Sequence, residues 1–197
     1  MASRLSDGIY VRDTVQITAK LMVVGPFGVG KTTLIGAVSE IDPLRTEELM
    51  TRDSVPVDDV TGVPEKRSTT VALDFGRLTL ADDFALYLFG TPGQQRFTQI
   101  WEDLCRGAYG ALVLADSRSL AESFEALSLV EKSALPYIVA LNSFPDTPDY
   151  PEAELREALD LDEATPLIVC DARDRESAKN ALIALVQHLY ADHQESS

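Results

Sequence analysis

Basic residues are scarce in this sequence: 17 Lys and Arg stand against 32 Asp and Glu, for a net charge of −15. Affinity for DNA or RNA comes largely from clustered cations on phosphate, so a nucleic-acid backbone is a poor partner. An anionic membrane surface is disfavoured for the same reason. Any phosphate ligand must be held by a local, concentrated site that overcomes the repulsion of the whole surface. Cysteine is also rare. Cys105 and Cys170 cannot build a disulfide framework, and neither has metal-ligand neighbours at useful spacing. Cys170 closes the apolar run Leu167-Ile168-Val169 and is expected inside a strand. His188 and His193 are the only histidines and have no acid or thiol cluster around them, which leaves zinc chemistry without ligands. No stretch reaches the roughly 18 apolar residues of a membrane span. Met1-Ala2-Ser3-Arg4 shows no apolar signal region, Ala2 replaces the glycine that myristoylation needs, and His193-Gln194-Glu195-Ser196-Ser197 is no prenylation box. The expectation is a cytoplasmic protein.

What is present is an ordinary globular balance, 45% hydrophobic and 25% charged over 197 residues, enough for one α/β domain. Residues 1–15 read as a polar arm, 16–192 as the domain and 193–197 as a short tail. An apolar run from Ile17 to Val24 enters a Gly-rich turn, and Leu34, Ile35 and Val38 then recur at helical spacing. Residues 41–69 are acidic and Pro-containing without a sustained period, which predicts a long loop that is functional or disordered. Val71, Leu73 and Phe75, then Leu78 and Leu80, lead through Ala81-Asp82-Asp83 to Phe84, Leu86 and Leu88, the pattern of a hairpin. Three more apolar runs, Ala111–Ala115, Tyr137–Leu141 and Leu167–Cys170, each precede a helical pattern: Leu120, Phe124 and Leu127; Leu155, Ala158 and Leu159; Ala178, Leu182, Leu185 and Leu189. Alternating strands and helices predict a mostly parallel sheet of six strands, helices on both faces and one antiparallel strand at an edge.

The strongest chemical signal is Gly25-Pro26-Phe27-Gly28-Val29-Gly30-Lys31-Thr32, which fits G-x-x-x-x-G-K-[ST] between a strand and a helix. Glycines let the backbone curl so that successive N–H groups face phosphate oxygens, and the helix adds the positive end of its dipole. A chance match in a chain this long is on the order of one in a hundred at average composition. Gly25, Phe27, Gly28, Val29, Gly30, Lys31, Thr32 and Thr33 are therefore the expected phosphate cradle. Lys31 is placed for the β- and γ-phosphates and the Thr32 hydroxyl for Mg²⁺.

Further segments resemble the small Ras-like GTPases. Gly90-Thr91-Pro92-Gly93-Gln94 is similar to the segment that meets the γ-phosphate. That resemblance implies a Gly93 N–H on the γ-phosphate and a Gln94 that orients the attacking water. Thr70-Val71-Ala72-Leu73-Asp74-Phe75 resembles the end of the first switch, which implies that Thr70 joins Thr32 on Mg²⁺; Thr69 is the neighbouring alternative. Leu114-Ala115-Asp116-Ser117 followed by Glu122-Ser123-Phe124 also fits. The chain looks most like bacterial GTPases related to the gliding-motility protein MglA, within them the actinobacterial proteins encoded beside a sensor kinase and a roadblock-type protein. The likeness spans roughly residues 17–190. It implies GTP or GDP with Mg²⁺ as ligand, slow hydrolysis, and a roadblock-type regulator and sensor-kinase complex as partners that bring the protein to the membrane periphery.

Three departures leave alternatives open. Gly90 stands where most small GTPases hold Mg²⁺ through an Asp. Asn142-Ser143-Phe144-Pro145-Asp146 replaces Asn-Lys-x-Asp, so Asp146 either reaches guanine past a bulge at Pro145 or is a plain loop acid. Phe144 either stacks on the base or plugs the loop. Asp171-Ala172-Arg173 replaces Ser-Ala-Lys, leaving the Ala172 N–H for the base carbonyl and the Arg173 stem to pack on the ring. Arg67 and Arg96 are candidate internal arginine fingers. Trp101 reads as a packing anchor and Asp58-Asp59 as solvated acids. The rival to a switch is a nucleotide-binding scaffold that scarcely hydrolyses; a small P-loop kinase is a weaker third reading, since no Arg-rich lid is evident.

Overall fold

The computed structural model describes residues 14–42, 44–50, 69–91, 98–145, 147 and 150–195, with backbone alone at 44–50, 69–72, 98–100 and 195. Strand β1 (Ile17–Val24) sets the architecture, because its second half is apolar on both faces. Leu21 and Val23 face one way, Met22 and Val24 the other, and all four are buried. A strand of this kind needs helices on both sides, the condition of a parallel sheet in an α/β protein.

Helix α1 (Lys31–Val38) follows, then β2 (Leu44–Met50), β3 (Thr69–Ala81) and β4 (Phe84–Gly90). After α2 (Thr98–Cys105) come β5 (Ala108–Ala115), α3 (Phe124–Lys132), β6 (Tyr137–Asn142), α4 (Glu152–Ala158), β7 (Leu167–Cys170) and α5 (Arg175–Glu195). The sheet order is β2-β3-β4-β1-β5-β6-β7. β3 runs antiparallel to β2 and β4, and every other neighbouring pair is parallel.

Leu34, Ile35 and Val38 of α1 pack with Ala178, Leu182 and Leu185 of α5 against Leu21, Val23, Leu86, Leu88, Leu112 and Leu114. On the opposite face Trp101 of α2, Leu127 and Val130 of α3, Leu155 of α4 and Leu159 at its C-cap cover Met22, Val24, Val113 and Val139. Burying each large side chain contributes about 1.5–3 kcal/mol, so these two layers hold the helices far more firmly than helix propensity does. Trp101 is the anchor its sequence context suggests; its indole N–H donates to Ser133 Oγ at 2.6 Å.

Six strands and their directions agree with the sequence reading. A seventh strand does not. Leu44–Met50 lies within the segment expected to be a loop, and it pairs residue by residue with Thr69–Phe75. Its Glu47-Glu48 pair breaks any apolar alternation, so backbone hydrogen bonds hold it where side-chain periodicity gives no signal. β3 is therefore second from the edge. Two helical assignments also shift in detail: Phe124 is 44% exposed and Ala158 is exposed, so neither faces the core. Leu73 and Phe75 lie on the face opposite to Leu78, because strand alternation changes parity between Phe75 and Leu78.

The parallel strands all end at one edge of the sheet. From β1 the chain turns first toward β2–β4 and later toward β5–β7, so the β1/β5 boundary is a topological switch point. Ligands of open α/β sheets bind in the crevice outside the strand ends at such a point.

Candidate functional site

The loop after β1 sits at that crevice. Gly25 has φ 143°, and a side chain there would run into the carbonyl oxygen of Leu114 on β5. Gly30, at φ 109°, occupies the N-cap of α1 and lies against the Asn142 amide. Only glycine fits both the left-handed backbone and the close neighbour. The α1 N-terminus has no side-chain cap, so its first N–H groups are open to an anion.

Lys31 is 7% exposed and folds back across the loop; its Nζ donates to Gly25 O and Pro26 O, both at 2.7 Å. Burial pushes its pKa down to about 8, an effect that the neighbouring Asp74 carboxylate partly offsets. Thr32 and Thr33 are exposed at the start of α1. The Thr32 hydroxyl donates to Asp74 Oδ2. Phe27 is 78% exposed on the outer rim of the loop.

Asp74 is the residue sequence reasoning passed over. It lies on β3 directly opposite Gly90 on β4. A Cβ at Gly90 would lie 2.9 Å from Ile35 Cδ1 and 3.0 Å from Asp74 Cβ. A side chain at Gly90 would therefore crowd Ile35 and Asp74, while Asp74 supplies a carboxylate from the adjoining strand. Thr91, just beyond, is buried, and its N–H donates to Val23 O at 3.0 Å.

The other half of the site gathers at the ends of β5, β6 and β7. Asn142 is buried; its Nδ2 donates to Val29 O at 2.8 Å and its Oδ1 accepts the Ala172 N–H at 2.9 Å. One amide thereby ties the phosphate loop to two strand ends. Ser143 N–H donates to Cys170 O at 2.8 Å. The Phe144 N–H donates to Thr147 Oγ1, and that hydroxyl donates to Phe144 O. The Arg118 guanidinium carbon sits 3.9 Å from the Phe144 ring centroid. Asp116 holds that guanidinium in a fork, accepting from Nε at 3.0 Å and Nη2 at 2.7 Å, and these bonds lower the Asp116 pKa. Arg173 makes a similar fork with Asp171, whose carboxyl is held down to about 2 by the hydrogen bonds from Arg173.

The structure thus brings Gly25–Thr33, Asn142, Ser143, Phe144, Ala172 and Arg173 into one crevice. Thr70 pairs with Leu49 four residues before Asp74 on an extended strand, about 13 Å along the chain. At the base end the Ala172 N–H donates to Asn142 Oδ1, and the Arg173 guanidinium pairs with Asp171 while its stem remains the part expected to pack on the ring. Gly93, Gln94, Asp146, Arg67, Arg96 and Asp58-Asp59 lie outside the described residues.

Oxygen donors on Thr32 and Asp74 suit a hard cation such as Mg²⁺. Among the described residues no group of three or more His, Cys, Asp or Glu side chains is arranged to hold a metal. That combination fits an ion held mainly by phosphate oxygens and water, as Mg²⁺ prefers, and excludes an all-protein cage among those residues.

Residues 23–192 match the family described as "Conserved hypothetical ATP binding protein". The chain belongs to that family. Among curated proteins it is 34% identical over 125 residues to the "Uncharacterized protein MJ1339" of Methanocaldococcus jannaschii, covering 62% of this chain and 68% of that one. Among solved structures, the G domain of the T. maritima FeoB iron transporter superposes with a TM-score of 0.62 at 19% identity. The match covers 87% of this chain and 99% of that domain, and at such identity it establishes the fold. A P-loop family on a G-domain fold has a nucleotide as its ligand.

Proposed function

We propose that the protein is a guanine-nucleotide switch that hydrolyses GTP slowly with Mg²⁺, as the small GTPases related to MglA do. The observation that carries this reading is the Thr32–Asp74 contact beside Lys31. It supplies, from β3, the carboxylate that Gly90 withholds, and so removes the main reason to regard the chain as a scaffold without turnover. Loop N–H groups and the α1 terminus bind the phosphates, Lys31 neutralises their charge, and Thr32 with Asp74 holds and orients the cation. Mg²⁺, when bound with nucleotide, neutralises charge developing on the transferring phosphoryl group. By resemblance Gln94 orients the attacking water and Gly93 meets the γ-phosphate. A role for Thr70 on the metal then requires the β2–β3 ladder to open at its Leu49–Thr70 end, which gives the switch a defined moving part.

The test is turnover of radiolabelled GTP by the wild type and by Asp74→Asn. Slow hydrolysis in the wild type, reduced at least tenfold in the variant, is expected. No release of phosphate by the wild type would leave the scaffold reading in its place. ATP is the second reading of the ligand, favoured by the family's description and by the commitment of the Ala172 N–H to Asn142. As partners we propose a roadblock-type regulator and a sensor kinase, with the protein cytoplasmic and recruited to the membrane through them. No helix among the described residues is long and apolar enough to cross a membrane. Co-purification of such a regulator only with the GTP-loaded form tests that assignment.

A further inference from the structure

A planar cation is built into the base end of the crevice. The Arg118 guanidinium is fixed in its own plane by the Asp116 fork, with Nε donating to Oδ1 at 3.0 Å and Nη2 to Oδ2 at 2.7 Å. Its backbone N–H also donates to Asp116 Oδ1, at 2.9 Å, so the turn after β5 and the side chain are held together. The guanidinium carbon sits over the Phe144 ring, 3.9 Å from its centroid. Phe144 is itself fixed, because Thr147 Oγ1 accepts from its N–H and donates to its carbonyl. Two residues upstream, Asn142 bonds Val29 O in the phosphate loop. The stack therefore stands on the same rigid framework as the phosphate cradle. The Arg118 side chain remains 43% exposed in this position.

Such a device differs from a surface ion pair. An exposed Arg–Asp pair contributes little to stability, and neither member needs an aromatic support to form it. A guanidinium held flat on a ring presents a preorganised plane, and Arg stacks on aromatic planes far better than Lys does. Ser143, next to Asn142, is too short to offer a cationic stem, and Arg118 brings a long cationic side chain to the Phe144 ring from the neighbouring loop.

We infer that Arg118, backed by Phe144 and aligned by Asp116, is the platform on which the purine ring of the bound nucleotide stacks. This rests on the reading of the crevice as a nucleotide site and adds a residue that binds the base. Stacking on a π-face does not distinguish bases, so Arg118 strengthens guanine and adenine nucleotides alike. Base discrimination then belongs to hydrogen-bonding groups elsewhere in the crevice.

The experiment is calorimetric titration of nucleotide-free wild type, Arg118→Ala and Arg118→Lys with GDP, ADP and inorganic tripolyphosphate, each with Mg²⁺. Arg118→Ala is expected to weaken GDP and ADP by the same factor, about tenfold or more, since stacking a base on a side chain is worth that much. Its affinity for tripolyphosphate stays at the wild-type value, which also shows that the variant is folded. Arg118→Lys recovers little of the loss, because an ammonium is a point charge and not a plane. Equal weakening of nucleotides and tripolyphosphate, full recovery by Arg118→Lys, or no loss in Arg118→Ala would each overturn the platform. A wild type that binds none of the three ligands overturns the nucleotide reading itself, a failure distinct from these.

Discussion

The phosphate end and the base end of the crevice are built by different means. At the phosphate end the backbone does the binding, and glycines at fixed places make the curl possible: Gly25 against Leu114 O and Gly30 against the Asn142 amide. At the base end side chains do it: Asn142 bridges three segments, Arg118 lies on Phe144, and Asp171 holds Arg173. A backbone-built site tolerates few sequences, so it leaves a fixed motif. A side-chain-built site can receive the same chemical group from another strand or loop, so its motif drifts while its chemistry persists. Asp74 facing Gly90 fits the same pattern, with a carboxylate supplied from the other strand of a β-pair at the proposed Mg²⁺ site.

The sharpest way to break this contrast is at Lys31. Lys31→Ala removes the charge that meets the phosphates, and charge-assisted hydrogen bonds are worth about 1.5–3 kcal/mol each. Titration should show nucleotide and tripolyphosphate affinity both falling by about a hundredfold. Retained tripolyphosphate binding would mean that the backbone cradle suffices without the cation. Next in size is Asn142→Ala, which leaves Val29 O and the Ala172 N–H without their buried partner. The expected loss of about 2–4 kcal/mol would appear as a lowered Tm in calorimetric melting. An unchanged Tm would show that the two ends are not tied through this amide.

A smaller effect tests the relocation of the acid. Gly90→Asp crowds Ile35 and sets a second carboxylate against Asp74, and should cost about 1–3 kcal/mol in denaturant unfolding. Combining it with Asp74→Gly should recover part of that loss and part of the Mg²⁺ dependence of nucleotide binding. If the single Gly90→Asp variant is as stable as the wild type, the two positions do not share one space.

The smallest effect is on pH. The Lys31 pKa is depressed to about 8 by burial, so in the ligand-free protein the ammonium loses its proton as pH rises through that value. Phosphate binding needs the cation, so affinity should fall above about pH 8, by at most tenfold per unit. For folding the sign is opposite. The unfolded chain holds the Lys31 proton up to its ordinary value of 10.5, so this group's contribution to stability rises between about pH 8 and that value. Asp74→Asn removes an influence that raises the Lys31 pKa and should move the fall in affinity to lower pH. Titrations at a series of pH values check both statements.

Much of the fold was legible because the apolar runs are long and the parallel strands are buried on both faces. β1, the β3–β4 hairpin and the runs at β5, β6 and β7 fall where hydrophobicity places them. β2 was not legible, since a backbone ladder leaves no apolar period in Leu44–Met50. The phosphate loop could be read residue by residue. Asp74 left a signal, an acid between Leu73 and Phe75 in an apolar strand, but its meaning depends on register. Counting back from the Ala81–Phe84 closure sets Asp74 opposite Thr91; the irregularity between Thr79 and Ala81 moves it to Gly90. The Arg118–Phe144 stack joins two loops that only the fold brings together, and no local pattern in either loop announces it.

We propose a purine-nucleotide site in which Thr32 and Asp74 hold Mg²⁺ against the phosphates, and titration of nucleotide-free protein with GDP, GTP, ADP and ATP, with and without Mg²⁺, tests it. Binding that Mg²⁺ strengthens is expected, with guanine nucleotides ahead of adenine. Tighter binding of ATP than GTP would reassign the base and keep the site, whereas binding of no nucleotide, or binding indifferent to Mg²⁺, would contradict the claim.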